Sequence, residues 1–201
     1  MIGIKSKGGW LAVAFVLLFT LAGCGPSKRA DFKATDITGA DFGHHLEMTD
    51  HNGVKRTLAD FRGKLVVLFF GYTHCPDVCP TTLSDMAAAL KLMTPDEAKQ
   101  VQVLFVTVDP ERDTPEMLKE YVPYFYPTFL GLYGTPAETA AAAKEFRIFY
   151  KKHAEAGPIG YLVDHTAGSY VLDRSGRLRL FQPYGQSPPD IAHDLKLLLQ
   201  E

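Results

Sequence analysis

Lys64-Leu-Val-Val-Leu-Phe-Phe70 runs straight into Gly71-Tyr-Thr-His-Cys-Pro-Asp-Val-Cys-Pro80, and the reading of these 17 residues decides the fold. An apolar run without polar alternation is what a strand buried on both faces requires. From Pro80 to Met93, the residues Leu83, Met86, Ala87 and Leu90 recur at spacings of three and four, which predicts a helix with an apolar stripe. Strand, loop and helix make a βα unit, and open α/β sheets place their functional groups at the carboxyl ends of strands. Cys75 and Cys79 lie at that end. Pro80 suits the first helical position, because its missing N–H would be unpaired there in any case. Cys79 is therefore expected as a cap-like residue and Cys75 in the loop before it. The positive end of the helix favours thiolate over thiol for both.

Outward from this unit the same alternation continues. Leu46–Thr49 and Val54–Thr57 flank Asp50-His-Asn-Gly53, whose Asn-Gly pair supplies the positive φ angles of a tight hairpin. Val101–Val108 reads as a second buried strand ended by Asp109-Pro110. Thr114-Pro115-Glu116 starts a helix expected to reach about Pro123. Leu130–Tyr133 is a short strand, and Pro136–Phe146 an alanine-rich helix begun by Thr135. Gly168–Leu172 and Arg177–Phe181 form a hairpin across Asp173-Arg-Ser-Gly176, and Pro189–Gln200 is a closing helix. This order is α/β and resembles a thioredoxin-like fold: an N-terminal β-hairpin and a central mixed sheet flanked by helices.

The first 23 residues stand apart. Lys5 and Lys7 form a positive start, Trp10 to Ala22 is an apolar core of 13 residues, and Leu21-Ala-Gly-Cys24 closes it. A membrane-spanning helix needs roughly 20 apolar residues, so this core reads as a signal peptide. It is similar to bacterial lipoprotein signals, which implies cleavage before Cys24 and lipidation of that cysteine. The expected organisation is thus a signal at 1–23, a lipidated N-terminus and polar tether at 24–39, and one domain at 40–201. The domain is expected on the periplasmic face of a bacterial membrane, held by its lipid. With Lys5 and Lys7 removed, 19 of the 21 Lys and Arg residues remain against 23 Asp and Glu. No basic block exceeds Lys28-Arg29 or Lys151-Lys152, which argues against nucleic acid.

Three cysteines occur in the chain. If Cys24 belongs to the signal, the whole thiol inventory of the domain is Cys75 and Cys79. Four residues in or near a helical turn separate Cα atoms by about 6 Å, compatible with a disulfide and with two sulfurs sharing one ion. A purely structural disulfide here would close so small a loop that it would restrict the unfolded chain little. A reactive or metal-binding pair is the better reading, and spacing does not choose between these. The third feature is His165, in Val163-Asp-His-Thr-Ala167 just before the strand Gly168–Leu172. In a thioredoxin-like sheet this loop rises beside the cysteine loop. Two thiolates and one imidazole make a soft three-coordinate set, suited to Cu(I) and less specifically to Zn(II).

Thr73-His-Cys-Pro-Asp-Val-Cys-Pro-Thr81, Val106-Thr-Val-Asp-Pro-Glu-Arg-Asp-Thr-Pro115 and Asp164-His-Thr-Ala167 together resemble the Sco/SenC family of copper-binding cytochrome c oxidase assembly factors. The resemblance covers about Ala40 to the C-terminal helix. It implies copper ligation by Cys75, Cys79 and His165, with Cu(I) favoured and Cu(II) the other admissible state. It also implies delivery to the copper-bearing oxidase subunit by exchange with an incoming thiolate, and hence an inner-membrane location. A thioredoxin-like reductant is a further implied partner, because an oxidising periplasm closes the free dithiol. The alternative is a thiol-disulfide oxidoreductase or thiol peroxidase that cycles Cys75 and Cys79 without a metal.

The remaining polar residues read more plainly. His44, His45, His51, His153 and His193 are expected at the surface, and His74 at the edge of the site. Asp77 reads as turn chemistry, Asp164 as a candidate for orienting His165, and Asp109 and Asp113 as closing a strand and capping a helix. Phe129, Tyr133, Phe146 and Phe149 are expected in the core.

Overall fold

The run opened by Lys64 becomes strand β4, Leu65–Gly71, and every one of its residues is buried. In the computed structural model, which describes residues 31–153 and 160–201, β4 lies at the centre of an eight-stranded mixed sheet. The other strands are β1 (Thr35–Asp36), β2 (Glu47–Asp50), β3 (Lys55–Thr57), β5 (Val101–Thr107), β6 (Leu130–Tyr133), β9 (Ser169–Leu172) and β10 (Leu178–Gln182), in the order β1-β10-β9-β4-β5-β6-β2-β3. Strands β4, β5 and β6 run parallel, and β9 is antiparallel to β4. Strands β7 (Tyr150–Lys152) and β8 (Val163–His165) form a separate antiparallel pair. The helices are α1 (Val78–Lys91), α2 (Pro95–Ala98), α3 (Pro115–Phe125), α4 (Pro136–Glu145) and α5 (Pro188–Leu199), with a 3-10 turn at Leu58–Phe61. The expected thioredoxin-like architecture is present.

The two central strands need cover on both faces, and the register shows how they obtain it. Phe69, Phe105 and Gly131 lie side by side across β4, β5 and β6. On that face a side chain at Gly131 would meet Leu118 and Val122 of α3, and one at Gly71 would meet Cys79 of α1. Helix α1 in turn packs on α3 and α5. The opposite face carries Phe70, whose ring lies 5.7 Å from that of Phe146 at the end of α4. Each fully buried Leu or Phe contributes about 1.5–3 kcal/mol, so this double layer dominates the stability.

Helix starts follow local chemistry. Thr94, Thr114, Thr135 and Ser187 each accept a backbone N–H from three residues on, and each is followed by proline. A side-chain oxygen at the N-cap and a residue that needs no donor after it are what a helix start favours.

Several expectations are corrected. Strand β1 falls within the stretch read as tether; it pairs with β10, and the compact unit begins at Phe32. Its anchor is Asp194, fully buried in α5, which accepts the amides of Lys33 and Ala34 at 2.8 Å each and Gln186 Nε2 at 3.0 Å. Helix α1 begins at Val78, so Cys79 is inside its first turn and Asp77 takes the cap position. His51 is not at the surface: it is 7% exposed, and its Nδ1 accepts the Gly131 amide at 3.1 Å. Phe149 is 62% exposed rather than in the core. Cys24 and the signal lie outside the described residues, among which no helix is long and apolar enough to cross a membrane.

Replacing Asp194 with alanine removes, in a buried place, the acceptor of the Lys33 and Ala34 amides, of Gln186 Nε2 and of His193 Nδ1 at 3.1 Å, which costs about 1–3 kcal/mol. Urea unfolding of Asp194→Ala is expected to show a loss of that size, with faster hydrogen exchange at the Ile37 amide, which bonds Arg179 O beside β1. Unchanged stability and exchange would remove the anchoring role.

Candidate metal centre

Strand β4 ends at Gly71, and the chain turns at once into the cysteine loop. Gly71 is required by proximity: a Cβ there would lie 2.8 Å from Cys79 Sγ and 2.8 Å from the Phe105 ring. Cys79 is wholly buried and Cys75 partly exposed, and both are free thiols. The turn brings the Cys79 amide to 3.4 Å from Cys75 Sγ.

His165 reaches the same point from β8. Its Nε2 is 3.4 Å from Cys79 Sγ, and the three donor atoms of Cys75, Cys79 and His165 all lie within 4.8 Å of one another. Among the described residues this is the one such cluster of three. Its Nδ1 is 3.0 Å from the Thr166 carbonyl oxygen, which can only accept. The proton therefore sits on Nδ1, and Nε2 presents its lone pair to the sulfurs. The ring is bracketed by Tyr72 at 5.9 Å and Phe69 at 6.0 Å between centroids, both edge-on. Asp164 does not orient it. That carboxylate turns outward to His153 Nε2 at 2.7 Å.

The two thiols are electrically unequal. The Cys79 thiol donating to its sulfur pulls the Cys75 thiol far below the usual range; burial opposes this, while the amides of Asp77 and Cys79 assist. Sharing that bond with Cys75 and near-complete burial push Cys79 up. The free pair is thus one thiolate and one thiol. Two donors about 2.3 Å from one ion stand at most about 4.6 Å apart, so closing this set on a cation takes movements of less than about 1 Å. Thiolate and imidazole donors of this kind select soft or borderline cations.

Sequence reasoning named the three donors but missed their supports. Asp113, expected as a cap, is 1% exposed and accepts Thr73 Oγ and Thr107 Oγ at 2.6 Å each. Burial pushes its carboxyl up, against those hydrogen bonds. His74, at the site edge, has Nδ1 3.0 Å from Thr73 Oγ. A polar residue ending a buried strand was the available signal for Asp113, but its partner 40 residues away was not readable.

With this geometry in view, the comparisons with known proteins are specific. The SCO1/SenC family model matches residues 34–200, and the chain belongs to that family. It is 39% identical over 185 residues to the bovine mitochondrial SCO2 homologue, covering 92% of this chain and 66% of that protein. The chain spans between 52% and 66% of the length of the mouse, bovine and human SCO2 homologues it matches. Among solved structures it is similar to Bradyrhizobium japonicum ScoI with copper bound, at 41% identity and a TM-score of 0.71, covering 78% of this chain and 99% of that one. It is also similar to apo Sco1 from Thermus thermophilus, at 39% identity and a TM-score of 0.75, covering 86% and 99%.

Two outcomes test the site's geometry. Iodoacetamide is expected to label Cys75 at a rate that holds from about pH 8 down to about pH 5, while Cys79 stays unlabelled; labelling of both cysteines alike would contradict the asymmetry. Gly71→Ala forces Cβ against sulfur and ring, and is expected to lose about 1–3 kcal/mol in denaturant unfolding. An unaltered midpoint would show that the approach is not tight.

Proposed function

We propose that this protein is a copper metallochaperone that holds copper through Cys75, Cys79 and His165 and passes it to the copper-bearing subunit of cytochrome c oxidase. The observation that carries this reading is the convergence of two sulfurs and a correctly tautomeric imidazole from separate elements, Nε2 lying 3.4 Å from Cys79 Sγ. A structural dithiol has no need of the imidazole. The donor set suits Cu(I) best, and a relative 41% identical has been solved with copper bound.

Within the reading each residue has a part. Cys75 is already a thiolate and partly exposed, so it meets the cation first. Cys79 gives up its proton as the metal binds, and His165 closes the set through Nε2. A three-coordinate ion beside a partly exposed sulfur accepts a further thiolate from a partner, which makes transfer a ligand exchange. The surface next to this loop suits a protein partner: a shallow cavity there is lined by Thr73, His74, Met117, Tyr121, Tyr124 and Phe125, with Tyr124 85% exposed. The signal-like first 23 residues and Cys24 support a lipid anchor at the periplasmic face of a membrane, an oxidase partner requires that membrane to be the inner one, and an oxidising compartment calls for a thioredoxin-like reductant to keep the pair open.

One observation favours a second reading. A partly exposed thiolate paired with a buried thiol is also the arrangement of an attacking and a resolving cysteine, so the alternative is a thiol-disulfide oxidoreductase or thiol peroxidase without a metal. His165→Ala separates them. The chaperone reading predicts that this variant no longer holds one copper per chain against a chelator, keeping only weak binding by the two thiolates, while its reactivity toward disulfides persists. Unchanged copper affinity with brisk disulfide or peroxide turnover would decide for the oxidoreductase.

A further inference from the structure

Thr107-Val-Asp-Pro-Glu-Arg-Asp113 connects β5 to α3, and its side chains are committed in two opposite directions. Toward the cysteines, Asp113 accepts the Thr73 hydroxyl at 2.6 Å and the Thr73 amide at 3.1 and 3.2 Å, two residues before Cys75. Its other oxygen takes the Thr107 hydroxyl at 2.6 Å, which ties the carboxylate to the end of β5. Toward the histidine, Arg112 donates through Nε to Asp109 and through Nη1 to the Tyr161 carbonyl at 2.8 Å. The guanidinium lies 3.7 Å from the centre of the Tyr161 ring, and the Tyr161 hydroxyl donates to Asp109 at 2.6 Å. Asp109 is fully buried and also faces Lys152 of β7 at 3.6 Å. Tyr161 stands two residues before β8, and the Val163 amide donates to the Tyr72 hydroxyl at 3.3 Å.

We propose that the 107–113 connection is a spacer that sets the separation of the two halves of the metal site, with Asp113 the positioning residue for the cysteine loop and Arg112, seated on Asp109, the positioning residue for His165. The proposal rests on the reading of Cys75, Cys79 and His165 as a metal site. The physical case is one of attachment. The β7–β8 pair is outside the main sheet, so no ladder hydrogen bond to a central strand fixes the height of His165. The Arg112 fork, the stacked Tyr161 ring and the Tyr72 contact supply that fixing, and a planar five-donor group is the side chain able to bond and stack at once. Because neighbouring residues hold the two halves, any drift of the connection moves both arms together and preserves the gap between sulfur and nitrogen.

The test is Cu(I) affinity of the full domain, measured by competition with bicinchoninate, in the parent and in a His165→Ala background. Loss of a group that orients a metal ligand commonly costs 10–100-fold in affinity, and Arg112→Ala is expected to weaken copper by about that factor in the parent. In the His165→Ala background it is expected to change nothing further, because it acts only through that ring. Thr73→Val acts on the sulfurs, so its loss is expected in both backgrounds. Nitrogen NMR of the free protein adds a readout that stability does not move: the His165 Nε2 signal is expected to shift in Arg112→Ala and to stay in place in Thr73→Val. Parent-like affinity for Arg112→Ala, or an equal loss in both backgrounds, would overturn the spacer. Should Arg112→Ala fail to fold, Tyr161→Phe removes a single hydroxyl from the same arm and is held to the same pattern. If His165→Ala binds copper as the parent does, the metal-site reading itself falls; if it weakens and Arg112→Ala does not, only the spacer does.

Discussion

The parallel pairing of β4 with β5 is the constraint on which the rest depends. Seven consecutive residue pairs, from Leu65 with Val101 to Gly71 with Thr107, bring two buried strands to an end at the same level. The loops that follow must then share one edge of the sheet. One carries Cys75 and leads into the first turn of α1, where Cys79 sits, and the other carries Asp109, Arg112 and Asp113. Neither strand tolerates slippage, because a shift of one residue would turn each row of buried side chains to the wrong face. Strand β9, antiparallel to β4, begins at that edge with Ser169 opposite Phe69, so His165, at the end of β8 just before it, lies at the same edge.

Much of this was legible in the chain, and the legible parts share a cause. Buried central strands announce themselves by unbroken apolar runs, and helices by periodicity and capping threonines, so β4, β5, β6, α3, α4 and α5 follow local rules. The donors were legible as a pattern of three motifs. What escaped the reading depends on contacts distant in sequence. Polar Thr35–Asp36 becomes a strand only because Asp194 and β10 receive it. His51 is buried because the Gly131 amide needs an acceptor where the pairing of β2 with β6 stops. Helix α1 starts before Pro80, so Cys79 is deeper than a cap residue would be. The β7–β8 pair has too few residues, and too mixed a sequence, to show alternation.

The inequality of the two thiols is the chemical counterpart of this placement. Cys79 projects from the first turn of α1 into the space that Gly71 leaves open, and it pays for that burial by holding its proton. Cys75 remains in the loop, where amides and a neighbouring thiol stabilise its charge. A soft cation entering from solvent thus meets a ready thiolate first, then a buried thiol, and then a lone-pair nitrogen whose other face is fixed on a backbone carbonyl. Membership of the SCO1/SenC family and the depth of Cys79 are two independent lines toward the same centre.

The most direct measurement of that centre is X-ray absorption at the copper edge of the reduced domain loaded with one equivalent of Cu(I). Two sulfur scatterers and one imidazole nitrogen around a three-coordinate ion are the expected result. A two-sulfur ion with no nitrogen in its shell, and a spectrum unaltered in His165→Ala, would contradict the account.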